Sequence, residues 1–137
     1  MSTSFQQLAA ESLLVPGSEL KFGKLKLKHW AEYAQYIGFK EYHKAKLNDP
    51  PKEILDELFR KGLNTNYDPN SPEVLGSVLD PICFSKLLEI SLKVGNPKAT
   101  DKQVQEILDA ADETFTADLI NKFLDMQGLV SSETEKN

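Results

Sequence analysis

Side chains able to do chemistry are few in this sequence. His29 and His43 are its only histidines, and Arg60 is its only arginine. Catalysis needs a nucleophile, an acid or base, and a group that stabilises charge, all converging in one pocket. No Gly-rich phosphate loop, His-Glu-x-x-His pair or cysteine cluster occurs in the sequence. We therefore expect a protein that is not an enzyme and has no cofactor and no metal.

One stretch partly resembles a calcium-binding loop. Asn64, Asn66 and Asp68 have the alternate spacing of the first ligands of such a loop. Pro69, however, occupies the place of the required glycine, and Leu75 occupies that of the bidentate glutamate. The segment is therefore better interpreted as a polar surface loop.

The carboxylates near the C-terminal end favour a solvated face over a site. Asp109, Asp112 and Glu113 share one side of a predicted helix but have no histidine beside them. The two helices predicted over 101–128 could be a helix-turn-helix, yet the second offers Lys122 as its only cation. A DNA groove lined by phosphates requires more positive charge than this. We expect an ordinary helical hairpin there.

Charge is unevenly distributed along the 137 residues, whose formal net charge is -5. Residues 19–62 carry ten Lys or Arg and seven Asp or Glu, whereas residues 63–137 carry six and thirteen. An acidic second half makes nucleic acid an unlikely partner. The lone Cys83 predicts a reduced protein, and the absence of a long apolar run or a basic N-terminal leader predicts no membrane association and a cytoplasmic location.

Apolar periodicity predicts a mainly α protein, a small helical bundle with a short N-terminal β-hairpin. We predict an N-terminal arm or frayed helix over 1–18, a single domain over 19–128 and a disordered tail over 129–137. The domain would contain the hairpin at 19–28 and about six helices. Thr100 followed by Gln103 predicts a capping box.

The hairpin is predicted from the sequence ELKFGKLKLK, where apolar residues recur at every second position. A tight turn at Gly23 and the following lysine would place Phe22 opposite Leu25 and Leu20 opposite Leu27. Two arms this short cannot stand alone in water. Their apolar face would lie on the protein's own helices, on a neighbouring subunit or on a partner chain.

We hypothesise that this apolar face binds a partner. Downstream of it, five aromatic residues between positions 30 and 42 could form either core or a binding face, and core is the commoner outcome for such a stripe. The residues assigned to partner binding are Leu20, Phe22, Leu25, Leu27, Trp30 and Tyr33.

The order of these segments resembles that of the tail assembly chaperones of long-tailed bacteriophages. The strand pair ELKFGKLKLK runs directly into the helix HWAEYAQYI, and the apolar helix FSKLLEISLKVGNP comes later. An acidic helix pair follows, with the patterns Thr-x-x-x-Val-x-x-Ile-Leu and Asp-Leu-Ile-x-x-Phe-Leu. The resemblance covers about Val15 to Gly128 and consists of fold-level patterns.

The resemblance implies a non-enzymatic protein of the bacterial host cytoplasm. Members of that family bind the tape measure protein, a long helical and apolar-rich chain, and keep it soluble while the tail tube assembles. The implied partner is the tape measure protein or another tail protein, and a homo-oligomer is also conceivable. Two alternatives are a structural virion subunit of the tail or baseplate, and a small nucleic-acid-associated regulator that uses the lysines of the hairpin.

Overall fold

A computed structural model describes residues 12–129. Within this range the protein is mainly α, with one two-stranded sheet, and the predicted fold class is confirmed. Its elements in chain order are β1 (Ser12–Leu14), β2 (Lys21–Gly23), α1 (Leu27–Gly38), α2 (Lys40–Lys46), α3 (Lys52–Leu63), α4 (Pro72–Gly76), a 3-10 turn (Ser77–Leu79), α5 (Pro81–Gly95), α6 (Asp101–Asp109), α7 (Ala111–Thr114) and α8 (Ala117–Met126).

The hairpin exists, but its strands are not those predicted over 19–28. β1 and β2 are antiparallel, and Leu13 lies opposite Phe22. The connection between them contains Gly17, whose φ of 73° is readily adopted only by glycine. Pro16 and Gly17 thus form the turn that the alternating pattern had placed at Gly23.

Three hydrogen bonds close this turn, one of them from the Ser18 N–H to the Val15 carbonyl at 3.1 Å. The Val15 N–H donates to the Leu20 carbonyl at 3.0 Å, and the Leu20 N–H donates to Ser18 Oγ at 3.0 Å. Leu27 is already the first residue of α1, so the predicted pairing of Leu20 with Leu27 is wrong, as is that of Phe22 with Leu25. The arm predicted for 1–18 contributes a strand, while residues 1–11 lie outside the described range.

Local signals fix the ends of several helices. Thr100 Oγ1 accepts a hydrogen bond from the Gln103 N–H at 3.1 Å, and the Gln103 side chain accepts one from the Thr100 N–H at 2.8 Å. This is the predicted capping box at the start of α6. The aromatic segment divides into α1 and α2 at Phe39, directly after Gly38.

The chain divides into two compact units. The first consists of Met1–Leu25 with Leu88–Asn137, and the second of Lys26–Leu87. The predicted single domain over 19–128 stays a prediction. Of the predicted tail at 129–137, only Leu129 lies in the described range.

The core of the first unit is centred on Phe22, which is fully buried. Its ring meets those of Phe115 and Phe123 edge-on, at centroid distances of 5.7 and 5.1 Å. Aromatic edge-to-face contacts add to the free energy gained from burial. The other buried apolar residues of this unit are Val15, Leu25, Leu88, Ile90, Leu92, Val104, Leu119 and Met126.

Strand β2 is held against the end of α5 by close backbone contact and by Asn96. A Cβ atom on Gly23 would lie 2.6 Å from the Gly95 nitrogen, so the two glycines allow the approach. Asn96 accepts a hydrogen bond from the Lys21 N–H at 3.1 Å and donates one to the Lys21 carbonyl at 2.7 Å. Its side chain therefore pairs with β2 as a neighbouring strand would.

A buried polar network holds the segment that follows β2. The Gly23 carbonyl accepts hydrogen bonds from Ser91 Oγ at 2.7 Å and from Gln127 Nε2 at 2.9 Å. The Leu25 N–H donates to Gln127 Oε1 at 2.8 Å. Buried polar groups that are satisfied in this way fix one arrangement of the backbone.

The second unit packs around Tyr33, which is fully buried. The Tyr33 hydroxyl and Ser77 Oγ are 2.7 Å apart, and Ser77 Oγ donates to the Val74 carbonyl at 2.6 Å. Burial, the largest cause, raises the pKa of Tyr33 far above its usual value. The remaining buried apolar residues of the unit are Ala34, Ile37, Val74, Cys83 and Leu87.

Candidate binding surfaces

Three of the six residues assigned to partner binding are interior. Phe22 and Tyr33 are fully buried, and Leu25 is 4% exposed. The cover that the hairpin needed is supplied within its own unit, by the rings of Phe115 and Phe123. These three residues therefore present no surface to a partner in this structure.

The other three residues lie partly or fully at the surface. Leu27 is 71% exposed, whereas Leu20 and Trp30 are half-buried. The Trp30 ring meets that of Tyr33 edge-on at 5.9 Å. The hypothesis that Leu20, Leu27 and Trp30 contact a partner stays a prediction.

Few of the candidate chemical groups meet one another. His29 Nδ1 accepts a hydrogen bond from the Lys26 N–H at 3.0 Å, at the start of α1. Asp68 Oδ1 accepts one from the Asn70 N–H at 2.9 Å, and Asp109 accepts one from Gln105 Nε2 at 2.8 Å. Among residues 12–129, no three His, Cys, Asp or Glu residues are grouped so that they could hold a metal ion.

Aromatic rings join α2 to α3 in the second unit. Phe59 lies 5.3 Å from both Phe39 and Tyr42, measured between ring centroids. A Cβ atom on Gly62 would overlap the Phe39 ring, so this glycine lets α3 approach closely. The predicted aromatic stripe is thus partly packing surface, because it receives the apolar side of α3.

The two edges of the apolar side of α3 are exposed, although Phe59 also packs against α2. Gly62 is the only buried residue of this helix, and Ile54, Phe59 and Leu63 are 46%, 44% and 63% exposed. The apolar side chains span about half of the helix circumference, and Ile54 and Leu63, nine positions apart, lie at its opposite edges. Leu55 and Leu58, which lie between these edges, are half-buried. We call this set the α3 apolar face; it consists of Ile54, Leu55, Leu58, Phe59 and Leu63.

The sequence predicted α3 as an amphipathic helix but did not single it out as a binding surface. Amphipathic spacing shows which side of a helix is apolar. It does not show how much of that side the rest of the fold covers. The length of α2 could have indicated that part of α3 stays uncovered, because the seven residues of α2 can cover only part of a helix of twelve.

His43, in α2, contacts aromatic rings and lies near two lysines. Its imidazole stacks on Tyr36 at 4.1 Å with an interplanar angle of 12°. Burial, followed by the positive charges of Lys46 and Lys86, lowers the pKa of His43 below 6.5. The neutral imidazole is therefore the favoured form in the folded protein.

We expect stability to fall as the pH drops from 7.5 to 5.5. The pKa of His43 is lower in the folded chain than in the unfolded chain, so the unfolded chain binds the proton more readily over this window. Urea unfolding followed by circular dichroism should show a smaller pH dependence for His43→Gln than for the wild type. Equal slopes for the two proteins, or an NMR titration of His43 with a pKa above 6.5, would contradict this expectation.

Two further findings bear on the class of protein. No helix in the described part of the chain is both long enough and apolar enough to cross a membrane. Comparisons of the chain with protein-family models, with curated proteins and with solved structures give no match. Function must therefore be argued from the surfaces themselves.

Proposed function

We propose that the protein is a non-enzymatic tail assembly chaperone of a long-tailed bacteriophage. It would bind the tape measure protein, or another tail protein, and keep it soluble during tail assembly. The observation that carries the proposal is the α3 apolar face, in which Ile54, Phe59 and Leu63 are exposed.

An exposed apolar face on a helix suits an apolar helical partner. Phe59 and Leu63 are four residues apart, so their side chains are neighbours along α3. An amphipathic helix laid against them would remove the apolar surface of both chains from water. Burial of apolar surface is the main favourable term in such association.

Charged residues on the rest of α3 would keep the unbound protein soluble. Lys52 pairs with Asp56 at 3.7 Å, and Arg60 and Lys61 occupy the last turn. Mixed charges around an apolar patch oppose self-association without covering the patch. This combination is what a protein that holds another chain in solution requires.

The proposal is tested by co-expression with a long helical tail protein, the tape measure protein of the same phage. We expect that protein to be soluble and to co-purify with the wild type. The double variant Ile54→Ser, Leu63→Ser should weaken the complex by about tenfold, because two partly exposed apolar side chains no longer contribute their burial. Pull-down yield and the soluble fraction measure this effect.

Leu79→Ser is the matched control, because Leu79 is 87% exposed and lies in the 3-10 turn outside the α3 apolar face. If the control and the double variant lose the same pull-down yield, the α3 apolar face is not the binding surface. If wild-type protein neither solubilises the tail protein nor forms a complex with it, the chaperone function is rejected. Persistence of the protein in purified particles would instead support a structural subunit, and a salt-sensitive DNA shift would support a nucleic-acid-associated regulator.

A further inference from the structure

A groove of about 380 Å³ lies in the first unit, between the hairpin connection and the helices α6 and α7. Residues 15–20 form one wall. The residues of the other wall are Gln103, Glu106, Ile107, Ala110 and Thr114. The groove thus depends on where the hairpin docks, which explains why sequence patterns alone did not reveal it.

The lining of the groove is mixed, with apolar side chains beside polar ones, whereas the depression next to it is mainly apolar. Val15 is 2% exposed, and Leu20 and Ile107 are half-buried beside it. The neighbouring depression of about 410 Å³ shares Leu20 with the groove and adds Pro97, with Lys98 also among its lining residues. Apolar concave surfaces of this size accept one or two large side chains.

Among residues 12–129, two carboxylates line the groove and no lysine or arginine does. Glu19 belongs to the hairpin connection and Glu106 to α6. Neither forms an ion pair with any residue in the range 12–129. Residues 101–114 carry five Asp or Glu and a single lysine, Lys102, so the formal charge of this segment is negative.

Hydrogen bonds of Val15 and Leu20 hold the wall formed by residues 15–20, and strand β2, which follows this wall, is held as well. Asn96 pairs with both backbone groups of Lys21, and Gln127 bonds to Gly23 and Leu25. A groove that needs no ordering on binding loses less conformational entropy than a mobile one.

We infer that this groove binds a segment of a partner protein in which large apolar side chains are bracketed by Lys or Arg. The apolar side chains would enter between the hairpin connection and α6, and the flanking cations would meet Glu19 and Glu106. The inference rests on the proposed function for the identity of the partner, whereas the chemistry of the segment follows from the groove. The segment that binds the groove carries positive charge, which distinguishes it from the apolar helix that binds the α3 apolar face.

Two synthetic peptides test the inference without the tail protein. Each is an alanine-based helix of about 14 residues with two leucines four positions apart. One peptide brackets the leucines with lysines, and the other with glutamates. Fluorescence anisotropy at about 0.15 M salt, where charges are screened beyond about 8 Å, should show the full-length protein binding the lysine peptide about tenfold more tightly than the glutamate peptide.

Charge reversal shows whether peptide affinity depends on the carboxylates of the groove or only on the net negative charge of the chain. Glu106→Lys should weaken binding of the lysine peptide by about tenfold. Asp112→Lys makes the same change in net charge at an exposed position outside the groove, and should leave the affinity within about twofold. Ala110→Trp fills the groove and should weaken binding as well.

Equal weakening by Glu106→Lys and Asp112→Lys, or no preference for the lysine peptide, would overturn the inference. Unchanged binding by Ala110→Trp would also overturn it. If the peptide results are as expected but co-expression fails, the groove stands and the chaperone function falls. If co-expression succeeds and the peptides do not bind, the function stands and the groove inference falls.

Discussion

Phe22→Ser is expected to lower the free energy of unfolding by about 4 kcal/mol. The fully buried ring would be replaced by a small hydroxyl side chain, leaving a cavity against Phe115 and Phe123. A buried hydroxyl without a partner adds to this cost. Urea unfolding followed by circular dichroism measures the change, which is a large share of the stability of a typical small protein.

Leu27→Ser is the control for the same substitution at a surface position. Leu27 is 71% exposed at the start of α1, so its stability should change by less than about 0.5 kcal/mol. If this variant loses partner binding without losing stability, the Leu27 side chain itself contributes to the binding surface. If Phe22→Ser were as stable as the wild type, the hairpin would not be packed on its own unit.

Local sequence signals predicted where helices form, although residues 12–129 form eight α-helices where about six were predicted. The capping box of Thr100 and Gln103 acts within four residues, and the break after Gly38 depends on neighbours along the chain. Such short-range interactions are fully contained in the sequence window that predicts them. The mainly α class followed from them.

The strand pairing required information from far along the chain. Two turn signals competed, one at Pro16 and Gly17 and one at Gly23, and the alternation of apolar residues over 19–28 favoured Gly23. Asn96 pairs with Lys21 across 75 positions, and Gln127 bonds to Gly23 across 104. No local pattern encodes contacts at such separations. The turn of the hairpin was therefore predicted at Gly23 instead of at Pro16 and Gly17.

The binding surfaces were predicted only in part, for the same reason. Burial of Phe22 and Leu25 depends on helices that join the hairpin from the other end of the sequence. Exposure of the α3 apolar face depends on how little of it α2 covers. Amphipathic spacing identified the apolar side chains correctly, but their burial is a property of the packed units.

The docking of β2 on α5 leads to the second large expected effect. A Cβ atom on Gly95 would overlap the carbonyl oxygen of Lys21 and approach the nitrogen of Gly23 at 2.9 Å. Both atoms belong to the backbone, so neither can move aside as the end of a flexible side chain can. The strand, with its bonds to Asn96, would have to shift away from the helix.

Gly95→Ala should therefore destabilise the protein by about 3 kcal/mol, although alanine is otherwise the better helix former. Gly76→Ala is the matched control, because a Cβ atom there meets nothing within 4 Å and the backbone is helical, with φ of -74° and ψ of -21°. It should stabilise by about 0.5 kcal/mol through the lower conformational entropy of the unfolded chain. Urea unfolding of the two variants should thus give shifts of opposite sign, and a neutral or stabilising Gly95→Ala would show that β2 does not lie against the end of α5.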